Sequence, residues 1–153
     1  MSVWLSEAGY ALGDIGPAGG LVFYENPNAA TDGWRYLEAA PFDQSAGAKW
    51  GCFRTEIPAA RGTEIGTGRQ NTLDILAACK DPCTAAGLCA SLTVNGVGGW
   101  FLPSRDELIE MYRNLKASGA ADFGAGSMPD NVMRFYPLST PTARIGRMSR
   151  QRA

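Results

Sequence analysis

The chain has 153 residues, 16.3 kDa, 45% of them hydrophobic and 10% aromatic, which suits one folded domain and excludes disorder along the whole length. Lys+Arg 14 against Asp+Glu 15 leaves a formal charge of −1, so no electrostatic case exists for nucleic acid, and no apolar run reaches the ~20 residues of a membrane span. Histidine is absent, which excludes Ser–His–Asp and Cys–His triads and every histidine metal site.

Gly 19 and Pro 9 predict many turns and few long helices. The first eight residues have no basic n-region, and Glu7 interrupts their apolar stretch, so they do not read as an export signal. Gly13-Asp-Ile-Gly-Pro-Ala-Gly-Gly20 runs directly into Leu21-Val-Phe-Tyr24, a tight turn feeding a buried strand at 21–24. A dinucleotide fingerprint needs the reverse order, strand then glycines then helix, so a Rossmann reading fails. Asn26-Pro-Asn and Thr31-Asp-Gly33 are turn clusters that close this strand and open a second at 34–39. Alternation puts Trp34, Tyr36 and Glu38 on one face and Arg35, Leu37 and Ala39 on the other, with Trp34 and Tyr36 read as core aromatics.

Gly66-Thr-Gly-Arg69 offers backbone amides and a guanidinium to an anion, but it lacks the Gly-Lys-Ser/Thr of a P-loop and reads as a glycine-rich turn. Asn71 to Cys79 predicts a helix capped by Asn71, with Asp74 in its first turn and Leu73, Leu76 and Ala77 on its buried face. Pro82 ends it, and Thr84 caps a second short helix running to Leu92. The best local signal is Trp100-Phe-Leu-Pro-Ser-Arg-Asp-Glu-Leu-Ile-Glu-Met-Tyr-Arg-Asn-Leu115. Ser104 and Glu107 form an S-x-x-E capping box, and Leu108, Met111, Tyr112 and Leu115 make one apolar stripe of a helix at 104–116. Asp106 and Glu107 are adjacent carboxylates, but the capping box already uses Glu107, which argues against an acid–base pair.

The cysteines are Cys52, Cys79, Cys83 and Cys89, spaced C-x26-C-x3-C-x5-C. This spacing lacks the paired C-x2-C knuckles of structural zinc, so no metal site is assigned, and disulfides or buried thiols are preferred. Four cysteines allow three pairings. The break at Pro82 favours Cys79 with Cys89, leaving Cys52 for Cys83.

Five segments, taken in order, resemble a bacterial domain family. They are Gly13 to Tyr24, Asp32-Gly-Trp-Arg-Tyr-Leu-Glu-Ala-Ala-Pro41, Lys49-Trp-Gly51, Gly66-Thr-Gly-Arg-Gln-Asn-Thr72 and Trp100-Phe-Leu-Pro-Ser-Arg-Asp-Glu-Leu108. The family is the one found as the C-terminal domain of the Legionella collagen-like adhesin, itself similar to the C-type-lectin-like fold of the formylglycine-generating (sulfatase-modifying) enzymes. The resemblance covers about residues 13–115 and implies an α+β, C-type-lectin-like domain over 1–126, exported or at the cell surface. It implies binding of a polysaccharide or protein rather than catalysis; no cofactor is expected, and the charge balance gives no reason to expect a nucleic-acid partner. The lectin calcium signatures Glu-Pro-Asn and Trp-Asn-Asp are missing. The sulfatase-modifying enzymes carry catalytic cysteines late in the domain, whereas the last cysteine here is Cys89. A metal- or thiol-dependent enzyme distantly related to that group is the alternative reading. Candidate ligand-binding residues are Trp50, Arg54 and Arg69.

The family closes with a Trp-Ser-Ser-Ser-like strand and an Arg-Pro-Val-Arg-like strand, and Ser127 to Ala153 shows neither. Residues 1–130 hold all 15 acids and nine bases, whereas 131–153 hold five arginines and no acid. Residues 127–153 are therefore expected to be a basic, atypical tail, the mark of a truncated or frameshifted gene or of a basic arm. Phe135 and Tyr136 are its expected anchors, with Arg144 onward disordered or loosely docked.

Overall fold

The computed structural model describes residues 9–45, 48–52, 54–117 and 119, and a strand at 144–148. In chain order the elements are β1 (Leu21–Glu25), a single turn α1 (Ala29–Asp32), β2 (Tyr36–Ser45), a 3-10 turn (Pro58–Ala60), α2 (Gly68–Ala78), α3 (Ala85–Ser91), α4 (Arg105–Ala117) and β3 (Arg144–Met148). Helices and strands are mixed without a βαβ repeat, an α+β arrangement.

β1 and β2 pair antiparallel, with Leu21 opposite Ala39 and Glu25 opposite Tyr36. The register slips between Val22 and Tyr24, and this bulge lets Val22 and Phe23 both be buried although they are adjacent. The carbonyl of Phe23 accepts from Asn114 Nδ2 on α4 at 2.8 Å, so the helix supplies that carbonyl with a partner. β2 extends past the expected 34–39 to Ser45, with an irregular register between Ala39 and Asp43 where Pro41 has no amide to donate. Leu37 and Ala39 face the core as alternation requires, yet Glu38 between them is buried too.

For Arg144–Met148 the expectation of disorder is overturned, while residues 149–153 lie outside the described residues. Arg144–Met148 forms β3, parallel to β2 with Glu38 opposite Arg144, in a sheet ordered β1-β2-β3. Backbone pairing along an open sheet edge asks nothing of side-chain alternation, so an Arg-rich segment satisfies it. Phe135, Tyr136 and the expected boundary at 126/127 lie outside the described residues.

α4 forms as its capping box and stripe predict, with Met111 and Leu115 buried. α3 is capped as expected, Thr84 Oγ1 accepting from the Gly87 amide at 3.1 Å. α2 differs from its prediction. It begins at Gly68 rather than beyond Asn71, and its buried side is Gly68, Asn71, Thr72 and Ile75. Leu73 is 50% exposed and Ala77 is exposed, so of the expected face only Leu76 meets the core, partly buried against the α2–α3 side chains. Asn71 is not the cap: Nδ2 donates to the Gly62 carbonyl at 3.0 Å, tying the preceding loop to the helix.

The core comprises three clusters. Phe23, Leu37, Ala39, Phe101, Met111 and Leu115 fill the space between the sheet and α4. Ile57, Ala60, Ile75, Ala85, Ala86, Cys89 and Leu102 lie with α2 and α3. Ala18, Ala40, Val94 and Trp100 form the third. The consecutive residues Trp100, Phe101 and Leu102 thus supply one side chain to each cluster. The chain reaches them through a Val94-Asn-Gly-Val97 turn with Asn95 at φ 49° and Gly96 at φ 78°, the left-handed pair that tight turns of this sequence adopt.

Candidate functional site

Two of the glycine-rich motifs close over buried glutamate side chains of the protein itself. The Gly16–Gly20 loop folds over Glu38, whose carboxylate accepts from the Ala18 amide at 3.1–3.2 Å and the Gly20 amide at 3.0 Å. A Cβ on Gly16 would stand 2.4 Å from Glu38 Cδ, so glycine there is a matter of space. At Gly66-Thr-Gly-Arg69, which forms the glycine-rich turn expected, Glu107 takes up the loop amide: Oε1 accepts from the Gly66 amide at 2.8 Å. The other oxygen accepts from the Ser104 amide at 2.9 Å, and Ser104 Oγ accepts from the Glu107 amide at 3.1 Å, completing the capping box. One side chain therefore caps α4 and holds the loop that leads into α2. Burial pushes the Glu107 carboxyl up to about 8, against the Ser104 and Gly66 amides and the Ser104 hydroxyl, which pull it down; neighbouring Asp106 adds to the rise.

Trp50, Arg54 and Arg69 are not gathered at one point. Trp50 packs half-buried against the α2–α3 cluster, and its indole Nε1 is enclosed without a hydrogen bond among the described residues. Arg54 is exposed, with its backbone at φ 59°. Both flank Cys52, which is cross-linked to Cys79 at the C-terminal end of α2. Arg69 sits in the first turn of that helix, roughly 15 Å along the axis from Cys79 at ~1.5 Å per residue.

The disulfide corrects the expected pairing. Cys52 joins Cys79 with Cα atoms 5.5 Å apart, while Cys83 and Cys89 remain thiols, the first exposed and the second buried. Cys89 points into the α2–α3 cluster from the middle of α3, whereas Gly51 lies against Ile75 of α2 and brings Cys52 to the helix end. Tertiary routing decided the pairing, and sequence separation carries no such information.

Sequence reasoning also missed a surface at the far end of β1. Tyr24 and Trp34 pack side by side with ring centroids 6.2 Å apart and planes at 37°. Both are half-buried, as are Ile65 and Leu108, which pack on the same cluster. Asp32 accepts from Asn26 Nδ2 at 2.9 Å, and Glu110 is held by Arg113 at 2.7 Å and Asn114 at 3.2 Å. Burial, then Glu110, then Asp32 raise the Tyr24 phenol, so it stays a neutral donor at physiological pH. The aromatic pairing was legible only as core, because alternation says nothing about how deep a ring sits.

Among the described residues no group of three His, Cys, Asp or Glu side chains is placed to hold a metal ion, and no helix is long and apolar enough to cross a membrane. Comparison with protein-family models, with curated proteins and with solved structures finds no match.

Proposed function

We propose that the chain is a non-enzymatic binding module of an exported bacterial protein, built on a C-type-lectin-like fold, with a polysaccharide or protein ligand. The observation that carries this reading is the use made of its two buried glutamates. Glu38 and Glu107 each close a glycine-rich loop through backbone amides, which makes the most distinctive motifs parts of a scaffold. The Cys52–Cys79 disulfide supports an oxidising compartment, where such staples persist. The scaffold leaves its ligand to be met by side chains outside these two motifs.

Metal analysis and a thiol count on the purified, air-oxidised chain test the reading. The expected result is no stoichiometric metal and two thiols, one reacting in the native state and the other after unfolding. Stoichiometric copper or zinc, lost together with a catalytic activity when the thiols are alkylated, would favour the enzyme alternative.

A further inference from the structure

The surface around Tyr24 and Trp34 has the chemistry of a saccharide subsite. Two half-buried aromatic rings, held by packing on the core cluster and against each other, keep part of their surface at the solvent boundary and lose little freedom on binding. Two carboxylate acceptors are tied to the same backbone: the Asn26 side-chain amide donates to both Asp32 and the Trp34 carbonyl, and that of Asn114 to both Glu110 and the carbonyl of Phe23, the residue before Tyr24. Anchored acceptors beside an apolar face match a ring that carries C–H bonds on one side and hydroxyls around its rim. The carboxylates disfavour sulfate or uronate groups. A cationic ligand is less suited, because Arg113 already compensates Glu110 and the rings, tilted at 37°, do not form a cage around a point charge. Tyr24 and Asn26 come from β1 and the turn after it, Trp34 from the turn into β2, and Glu110 and Asn114 from α4. The Gly66 loop borders the surface, since a Cβ on Gly66 would lie 3.7 Å from the Trp34 ring.

We infer that Tyr24, Trp34, Asp32 and Glu110 form a binding subsite for a neutral sugar unit of a polysaccharide. This rests on the binding-module reading and names its ligand class.

Affinity electrophoresis of the intact oxidised chain tests it, in native gels containing laminarin, galactomannan or dextran, with chondroitin sulfate as the anionic probe. At least one neutral polymer is expected to retard the chain, and chondroitin sulfate is not. Tyr24→Phe and Asp32→Asn are each expected to weaken retardation about fivefold, the worth of roughly one hydrogen bond. Glu56→Gln removes an exposed carboxylate elsewhere and is expected to change nothing, and thermal melts confirm that all three variants fold. Retardation that persists in Tyr24→Phe and Asp32→Asn but is lost in Arg54→Ala overturns the placement and leaves the module reading standing. Retardation by chondroitin sulfate alone overturns the neutral ligand class. No retardation in any gel overturns the inference outright, while the metal and thiol counts decide the module reading separately.

Discussion

Replacing Glu107 by glutamine tests the balance between burial and hydrogen bonding at the junction of α4 and the Gly66 loop. In the folded protein the carboxyl titrates near 8, against 4.5 unperturbed. Between those values the folded chain holds a proton that the unfolded chain has released. Folding therefore takes up a proton in this window, and stability falls as pH rises through it. About 3.5 pH units at ~1.4 kcal/mol per unit gives a loss of about 5 kcal/mol by pH 9 relative to pH 4. Glutamine has nearly the same shape and no charge to desolvate. Its single oxygen serves one of the two amides now bound by Oε1 and Oε2, and the other amide faces an NH2 group, at a cost of about 1–3 kcal/mol. Urea denaturation followed by tryptophan fluorescence at pH 5, 7 and 9 should show the variant less stable at pH 5, with the order reversed at pH 9. Parallel pH profiles for the two proteins would refute the reasoning. They would mean that the amides hold an ionised carboxylate throughout and that desolvation is not the dominant effect.

Gly20→Ala places a Cβ 2.5 Å from the Ala39 carbonyl and 3.0 Å from the Trp100 ring, so it should lower stability by about 2–4 kcal/mol in thermal melts. Gly33→Ala meets nothing within 4 Å and bears only the strain of φ 76°, so its loss should be about 1 kcal/mol. Non-reducing peptide mapping should recover a Cys52–Cys79 peptide pair, and reduction should destabilise the fold by about 3–4 kcal/mol for a separation of 27 residues. Thr84→Ala removes the acceptor of the Gly87 amide and should reduce stability by about 1 kcal/mol, measured by urea denaturation.

Features legible in the sequence are those whose cause lies within one turn of chain. The Ser104–Glu107 box and the Thr84 cap involve residues three apart, and both form as read. Glu107 was recognisable as a cap, but its second role depends on Gly66, 41 residues away, and no local pattern announces that. The face of α2 was misplaced for a related reason. Leu73 marks the apolar side by composition, yet Asn71 and Thr72 face inward because they hold backbone groups of Gly62 and Leu102. Polar residues that serve buried backbone are invisible to a hydrophobic pattern. The bulge at Phe23 has the same effect on β1, where strict alternation cannot bury two neighbours.

The Trp100-Phe101-Leu102 tripeptide has a consequence for how the domain comes apart. A protein with three apolar clusters would ordinarily open in pieces, each with its own free energy. Here the clusters are linked by three successive residues of one peptide segment, and displacing any of these side chains moves the backbone of the other two. Partial opening is thereby penalised, and the described domain is expected to open as a single thermodynamic unit. Slow amide exchange should accordingly have one common ceiling across β1, α2 and α4, rather than a separate value for each.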